Sequence, residues 1–143
     1  MKNTDKAPQV FISHSSLDTW ISKQIGIHIE KCGAKYFLDE SGIEHGDDFD
    51  IVICKAANNS SELVVLFTPW SITRPYIWVE IGIFFGANKR IVGILHGLTV
   101  EDILTDPKVP TLLKKKDLVY LNDIDSYFAQ LEKRVTAGNE KNG

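Results

Sequence analysis

Short apolar runs alternate with segments of helical periodicity along most of this chain, and this alternation constrains the fold most. The run Leu63 to Thr68 (LVVLFT) is the most hydrophobic of them, and Pro69 ends it. Apolar runs about four to eight residues long, separated by helix-length segments, predict parallel strands joined by helical crossovers. The same signal predicts four further strands, at Gln9 to Ser13, Ala34 to Leu38, Arg90 to Leu95 and Leu118 to Leu121.

Helical spacing of apolar residues predicts the connecting helices. The first helix should end at Gly33, and its apolar positions are Leu17, Trp20, Ile21, Ile25, Ile29 and Cys32. The second has its apolar positions at Phe49, Val52, Ile53, Ala56 and Ala57. Pro75 suits the first turn of a third helix. One short helix is expected between His96 and Lys116, and an amphipathic helix from Asp125 to Val135 closes the chain.

Together these elements predict an α/β fold, a flavodoxin-like three-layer sandwich with helices on both faces of a five-stranded parallel sheet. Right-handed crossovers and a short first connection favour the strand order 2-1-3-4-5. With 143 residues, the chain is expected to form one domain over residues 9–136, with polar tails at 1–8 and 137–143. Ligands of such sheets bind beyond the carboxyl ends of the strands where the order reverses, here between strands one and three.

Composition and charge exclude several classes of partner. The chain is 43% hydrophobic with a net charge of -3, which gives no electrostatic attraction to nucleic acid or acidic membranes. No apolar run approaches the length of a membrane span. Cys32 and Cys54 are expected to be buried free thiols, which predicts a reducing compartment and a cytoplasmic location. No metal site is expected, because no zinc-site spacing relates the histidines, His14, His28, His45 and His96.

A single carboxylate, Glu80, interrupts the apolar helical run Tyr76 to Ala87 (YIWVEIGIFFGA). No lysine or arginine of the same helix can pair with it, since its neighbours three and four residues away are Tyr76, Ile77, Ile83 and Phe84. Burying a carboxylate without compensation is costly. Two interpretations follow. Glu80 is a structural carboxylate that is stabilised by a distant cation or by the helix dipole, or it is a functional carboxylate that faces a pocket. The residues alone leave both interpretations open.

The predicted strand order delivers polar residues to the crevice between strands one and three. Ser13, His14 and Ser15 follow strand one, Asp39 and Glu40 follow strand two, and the segment Thr68 to Thr73 follows strand three. Tyr76 lies one helical turn before Glu80 on the same face. Several of these residues also have a purely structural interpretation. His14 is equally an exposed turn residue, Phe37 a packed strand residue, and the acidic segment after Asp39 a solvated loop.

Several groups of residues, in order along the chain, are similar to one family. They are Val10 to Asp18 (VFISHSSLD), Tyr36 to Asp39 (YFLD) with Gly46 and Phe49, Thr68 to Ser71 (TPWS), and Arg74 to Gly82 (RPYIWVEIG). In this order and at these separations they resemble a TIR (Toll/interleukin-1 receptor) domain of the stand-alone bacterial type, from Val10 to about Val135. The segment after the second strand is similar to the family's mobile BB loop.

The resemblance implies that the protein hydrolyses or cyclises NAD+ and that Glu80 is the catalytic carboxylate. It also implies that Phe37 contacts the nicotinamide end and that Ser13 and His14 line the phosphate and ribose side. Asp39 and Tyr76 complete the expected substrate contacts. The family usually has tryptophan then cysteine where this chain has Tyr76 and Ile77. NAD+ is then a substrate, and no prosthetic group is expected.

Nicotinamide leaves as a neutral base and needs no protonation, so one carboxylate suffices to stabilise the oxocarbenium-like charge that develops. Attack by water gives ADP-ribose, and attack by an adenine nitrogen or ribose hydroxyl gives a cyclic isomer. The expected partners besides NAD+ are further TIR copies and a separate effector or sensor protein, in antiphage defence or signalling. The expected loop and assembly residues are Gly42, Gly46, Asp47, Phe49 and Trp78.

Two alternatives belong to other classes, and a third remains within N-glycosidic chemistry. A TIR domain can act as a non-catalytic adaptor through self-association, for which Trp78, Phe84 and Phe85 offer an apolar surface. A phosphoacceptor receiver domain has the same strand order, but Ser13-His14, Thr68-Pro69 and Asn122-Asp123 stand where it needs acidic residues and a lysine. We exclude that class. A nucleoside-transferring enzyme with a glutamate nucleophile is a more distant option, which also breaks an N-glycosidic bond.

Overall fold

A computed structural model describes residues 7–38, 49–110 and 112–142. The strands form one five-stranded sheet in the order β2-β1-β3-β4-β5, and all neighbouring strands are parallel. The strands are β1 Gln9–Ser13, β2 Lys35–Leu38, β3 Glu62–Phe67, β4 Arg90–Leu95 and β5 Leu118–Tyr120. The predicted flavodoxin-like fold class and strand order are confirmed.

Helices connect the strands as the periodicity predicts. They are α1 Thr19–Lys31, α2 Phe49–Asn58, α3 Pro75–Gly86, α4 Val100–Leu104 and α5 Asp125–Asn142. The closing helix is longer than predicted, since it continues past Val135 to Asn142. No proline follows Val135 to stop it, and the added turns contain Ala137, Glu140 and Lys141, which are good helix formers. In the described ranges no helix is long and apolar enough to cross a membrane.

Two hydrophobic cores lie on the two faces of the sheet. Residues of α1 and α5 pack on one face, against β-strand side chains such as Val10 and Ile12. Residues of α2, α3 and α4 pack on the other, against side chains such as Phe11 and Phe67. All six residues of β3 are buried, as expected for the central strand. The helical layers on both faces confirm the three-layer arrangement.

Helix α1 buries most of the predicted apolar stripe, including Ile25, Ile29 and Cys32, but not its first two positions. Leu17 is 65% exposed and Trp20 is 72% exposed, so their assignment to the buried stripe was wrong. Leu17 lies in a 3-10 turn, Ser16–Asp18, which precedes the α-helix. Trp20 lies within the α-helix but about 140° around its axis from Ile25, at 100° per residue. The buried residues of α1 include Gly26, at which a Cβ atom would come within 2.6 Å of the Tyr36 ring. Glycine therefore lets α1 lie close against β2.

The two cysteines differ from each other. Cys32 is buried, and its thiol donates a 3.4 Å hydrogen bond to the carbonyl oxygen of Phe128. Burial raises the pKa of this thiol, and the nearby Glu132 carboxylate raises it further. Cys54 is exposed, so its predicted burial was wrong. Helix α2 turns Ile53 into the core, and the next residue along a helix points about 100° away.

Helix α5 is fastened to the start of β3 by a buried carboxylate. Glu62 is 5% exposed and accepts a 2.6 Å hydrogen bond from the Tyr127 hydroxyl. The Arg134 guanidinium donates to both Glu62 carboxylate oxygens, at 2.8 and 2.9 Å. Burial and this carboxylate raise the pKa of Tyr127 well above its ordinary value. Since charge-assisted hydrogen bonds satisfy the carboxylate, it serves as a structural tie between two layers.

Candidate functional site

The carboxyl ends of β1 and β3 are joined by a buried polar network. The Thr68 hydroxyl donates a 2.7 Å hydrogen bond to Oδ2 of Asp18, and it accepts from the backbone N–H groups of Trp70 and Ser71. The Ser71 hydroxyl donates to the Leu66 carbonyl at 2.7 Å. These bonds hold the loops that follow both strands in one arrangement. The floor of the predicted crevice is therefore fixed by side chains.

Asp18 belongs to this network, although the sequence did not single it out as a site residue. It is buried, despite lying in a turn between two exposed apolar residues, Leu17 and Trp20. Ser15 accepts a hydrogen bond from the Leu17 N–H and begins the turn. A serine at a turn start with an acid three residues later is a local signal. However, the partner of Asp18 is 50 residues away, at Thr68.

His14 and Tyr76 meet at the end of β1. The Tyr76 hydroxyl donates a 3.0 Å hydrogen bond to the backbone carbonyl oxygen of His14. The His14 ring is buried, with Nε2 at 3.4 Å from the hydroxyl oxygen of Thr19. His14 is thus not the exposed turn residue that one interpretation of the sequence allowed. The contact brings the first turn of α3 over the carboxyl end of β1.

Three residues of α3 form one row, because Tyr76, Glu80 and Phe84 are spaced by four residues. Tyr76 reaches β1 at His14, and the Phe84 ring packs edge-on against Phe11 of β1, with the centroids 5.5 Å apart. Glu80 lies between these two contacts. Its side chain therefore faces the stretch of β1 between Phe11 and His14.

Ser13 lies on that stretch of β1 and on the same face. Side chains alternate along a strand, and Phe11, two residues earlier, packs into the core that contains α3. The Ser13 hydroxyl is buried and has no hydrogen-bond partner within the described ranges. A hydroxyl can both donate and accept hydrogen bonds. Ser13 thus offers an unused polar group on the side of the sheet where Glu80 lies.

Phe37 joins this region through the aromatic core. Its ring lies 5.1 Å from the Phe11 ring, centroid to centroid, and the two residues are paired in the register of β1 and β2. Phe37 is only half-buried. The ring packs as a strand residue and also keeps part of its surface open near the carboxyl end of β2. The structure therefore brings Ser13, Phe37, Tyr76 and Glu80 to one side of the sheet. His14 meets this group through its backbone carbonyl, while its ring contacts Thr19 of α1.

Trp78 lies in the core rather than in this row. Its indole Nε1 donates a 3.1 Å hydrogen bond to the Ile72 carbonyl, and its ring lies 5.6 Å from that of Phe67. The apolar surface expected around Trp78, Phe84 and Phe85 is smaller than predicted, because Phe84 is buried. Phe85 alone of the three is exposed, at 54%.

Several predicted site residues fall outside the described ranges, namely Asp39, Gly42, Gly46 and Asp47. Phe49 is the first residue of α2, and its side chain also lies outside the description. Within residues 7–38, 49–110 and 112–142, no group of three or more His, Cys, Asp or Glu residues could hold a metal ion.

The site is closed in this structure. Glu80 is 2% exposed, and Ser13 and His14 are also buried. A ligand the size of a dinucleotide cannot reach these groups unless neighbouring side chains or segments move. The arrangement has a buried carboxylate, a buried hydroxyl and two aromatic rings that are half-buried.

A doubly wound parallel sheet with polar groups at the point where the strand order reverses defines the flavodoxin-like class. Within that class, a family model described as the TIR domain matches residues 10–135. The chain belongs to the TIR-domain family. No curated protein matches the sequence significantly.

Solved structures of similar fold come from several organisms. The TIR domain of the Toll-related receptor TRR-2 from Hydra magnipapillata has a TM-score of 0.63 and 21% identity, covering 87% of this chain and 94% of that one. A TIR-STING receptor from C. gigas, solved with 2',3'-cGAMP, has a TM-score of 0.61 and 18% identity. The match covers 86% of this chain but only 38% of that receptor.

An enzyme from Clostridium botulinum is also similar in fold. It is the CMP N-glycosidase BcmB, with a TM-score of 0.53 and 16% identity. The match covers 87% of this chain and 98% of the enzyme. At sequence identities this low, the similarity to these structures shows a shared fold and nothing more specific.

Proposed function

We propose that this TIR domain cleaves the bond between nicotinamide and ribose in NAD+, with Glu80 as the catalytic carboxylate. The observation that carries the proposal is the position of Glu80, buried on α3 in a row between two contacts to β1. This position lies beside the crevice where ligands of such sheets bind. A buried carboxylate aimed at a crevice is a candidate for chemistry.

The reaction needs few groups from the protein. The bond from C1′ of the ribose to the nicotinamide nitrogen breaks, and its electron pair leaves with neutral nicotinamide. Glu80 accepts hydrogen bonds from the ribose hydroxyls and stabilises the positive charge that develops on the sugar. A water oxygen then bonds to C1′ and releases a proton, giving ADP-ribose. An adenine nitrogen or ribose hydroxyl attacking instead gives a cyclic isomer.

The other site residues take binding roles in this proposal. The unused Ser13 hydroxyl and the loop at His14 contact the ribose and phosphates, and Phe37 contacts the nicotinamide ring. Tyr76 supplies the aromatic wall one turn before Glu80, and Asp39 is a further proposed substrate contact. The N-glycosidase of similar fold acts on a bond of the same chemical type, so the fold is compatible with this chemistry.

The burial of Glu80 supports activation by assembly. A carboxylate that is 2% exposed acts on NAD+ only after the site opens. Contacts with further TIR copies, or with a separate sensor or effector protein, would supply the free energy of opening. The exposed free thiol of Cys54 suits a reducing compartment, so we place the protein in the cytoplasm. A role in antiphage defence or signalling rests on the family resemblance.

Nicotinamide release from NAD+ at high protein concentration tests the proposal. Glu80→Gln should lower the rate of release by about 10²–10³-fold, and Glu132→Gln should retain it. The control makes the same chemical change at an exposed position of α5. Chromatography should separate linear from cyclic ADP-ribose, with CMP as an alternative substrate. Equal release by Glu80→Gln and the parent protein, at equal melting temperatures, would overturn the proposal.

A second function is self-association without catalysis. It is favoured by large apolar side chains that are exposed near the carboxyl ends of β1 and β3. Leu17 and Trp20 flank the buried Asp18, and the exposed Trp70 follows Thr68, the hydrogen-bond partner of Asp18. In this function Glu80 is structural, and no nicotinamide is released under any assembly condition. Light scattering of the parent protein and Trp20→Ser, with nicotinamide measured in the same samples, distinguishes the two functions.

A further inference from the structure

A second cavity, of about 650 Å³, opens at the amino-terminal edge of β4 and β5. Its walls are the end of α3, the segment before β5 and the first turns of α5. Small-molecule sites commonly enclose about 300–1,000 Å³. The candidate site around Glu80 faces the carboxyl end of β1, so this cavity lies at the opposite edge of the sheet.

The cavity is strongly basic although the chain has a net charge of -3. Its charged lining comprises four cations and one carboxylate, which gives a local charge of +3: Lys89, Arg90, Lys114, Lys116 and Asp117. Cations gathered around a concave surface repel one another and raise the local concentration of anions. An anionic occupant relieves this repulsion.

The cations of the cavity are not equivalent. The Lys89 ammonium donates to the carbonyl oxygens of Ala57 and Ser60, each at 2.7 Å, so it is committed to the end of α2. Arg90, Lys114 and Lys116 are exposed, and none has an ion-pair partner within the described ranges. These three cations are available to a ligand.

The carboxylate of the cavity offsets only one of these charges, and within the described ranges it forms no ion pair with the cations. Oδ2 of Asp117 accepts a 2.9 Å hydrogen bond from the backbone N–H of Lys114, which fixes the turn before β5. The remaining lining is partly apolar, and it includes Ile91, Val119 and the exposed ring of Phe85. Cations at the rim and an aromatic ring beside them match a phosphate group attached to a flat organic part.

We infer that this cavity is a second binding site, for a small ligand that carries phosphate. Arg90, Lys114 and Lys116 contact the phosphate, and Phe85 packs against the organic part where there is one. Arg90 is the cation best suited to a bidentate phosphate contact. The site is independent of the proposed chemistry at Glu80, because none of its residues lies in the crevice.

Isothermal titration with ADP and with inorganic pyrophosphate tests the inference on the whole chain. The test variant is Lys114→Gln with Lys116→Gln, and the control is Lys108→Gln with Lys133→Gln. Both pairs are exposed lysines and remove the same charge, but Lys108 and Lys133 lie outside the cavity lining. We expect the test variant to raise Kd about tenfold, since two charge-assisted contacts are lost, while the control binds as the parent does.

The two probes separate the sources of phosphate. Tighter binding of ADP than of pyrophosphate, with the difference lost in Phe85→Ala, identifies a nucleotide, whereas equal binding identifies phosphate itself. Two results would overturn the inference. One is no binding of either probe at about 100 mM salt. The other is an equal change of Kd in both lysine variants, which would locate the phosphate elsewhere.

Discussion

Two buried glutamates lie at comparable depth in this domain, and their surroundings differ. Glu62 is 5% exposed at the amino-terminal edge of the sheet, and Tyr127 and Arg134 together donate three hydrogen bonds to it. Glu80 lies on α3 in a row of apolar and aromatic residues that faces the end of β1. Burial alone does not distinguish a structural carboxylate from a catalytic one. The edge of the sheet that each carboxylate faces is the difference on which the proposed assignment rests.

The largest expected effect concerns activity. Glu80→Gln should lower the rate of NAD+ cleavage by about 10²–10³-fold, because an amide cannot stabilise the positive charge on the ribose as a carboxylate does. The rate is measured as nicotinamide released by the assembled protein. Glu62→Gln, assayed while folded, should retain most of the rate. A larger loss of rate in Glu62→Gln than in Glu80→Gln would reverse the assignment of the two carboxylates.

The second effect concerns stability. Glu62→Gln should lower the free energy of unfolding by about 2–3 kcal/mol, because it leaves the Arg134 guanidinium without its carboxylate. The Arg134 side chain is 31% exposed, so water compensates part of the loss. Urea unfolding followed by circular dichroism measures the change. A value within about 0.5 kcal/mol of the parent would show that this ion pair does not fasten α5.

A smaller change is expected for Tyr127→Phe. It removes one neutral donor to Glu62 and leaves both Arg134 contacts, so the free energy of unfolding should fall by about 1–2 kcal/mol. The same urea experiment applies, with Tyr120→Phe as the control, since the Tyr120 hydroxyl also makes one hydrogen bond, from the Val100 N–H, but at an exposed position. Equal destabilisation by both variants would contradict the role given to the buried hydroxyl.

The smallest effect is a dependence on alkaline pH. The pKa of Tyr127 is raised in the folded state, by burial first and then by Glu62, so the folded state holds this proton more tightly than the unfolded state. Its contribution to stability is present below the unfolded pKa of about 10 and is lost as pH rises above that value. Urea unfolding at about pH 8 and 10.5 should show a steeper fall for the parent than for Tyr127→Phe. Parallel falls would contradict the linkage.

Most of the fold could be predicted because its signals are local. The apolar run of β3 and the spacing of Ile25 and Ile29 depend on adjacent residues, and crossover handedness then limits the strand order. The burial of Leu17 was predicted wrongly because Leu17 lies in a 3-10 turn before α1, where α-helical spacing does not apply. Periodicity cannot detect a change of helix type over three residues.

The site could be predicted only in part, for a different reason. Glu80 is conspicuous because its neighbours in sequence are apolar. Glu62 is not conspicuous, since it stands at the first position of the apolar strand β3 and its partner Arg134 is 72 residues away. The Tyr76 contact to His14 spans 62 residues, and the Asp18 contact to Thr68 spans 50. Contacts between distant segments form only after the chain has folded, so no local pattern contains them.

Helix α3, Pro75–Gly86, runs across the sheet from one edge to the other. Its 12 residues make a rod about 18 Å long, with Tyr76 at the crevice and Phe85 at the basic cavity. One helix thus supplies side chains to both the crevice and the basic cavity. An engineered change in α3 has to be assayed at both edges of the domain.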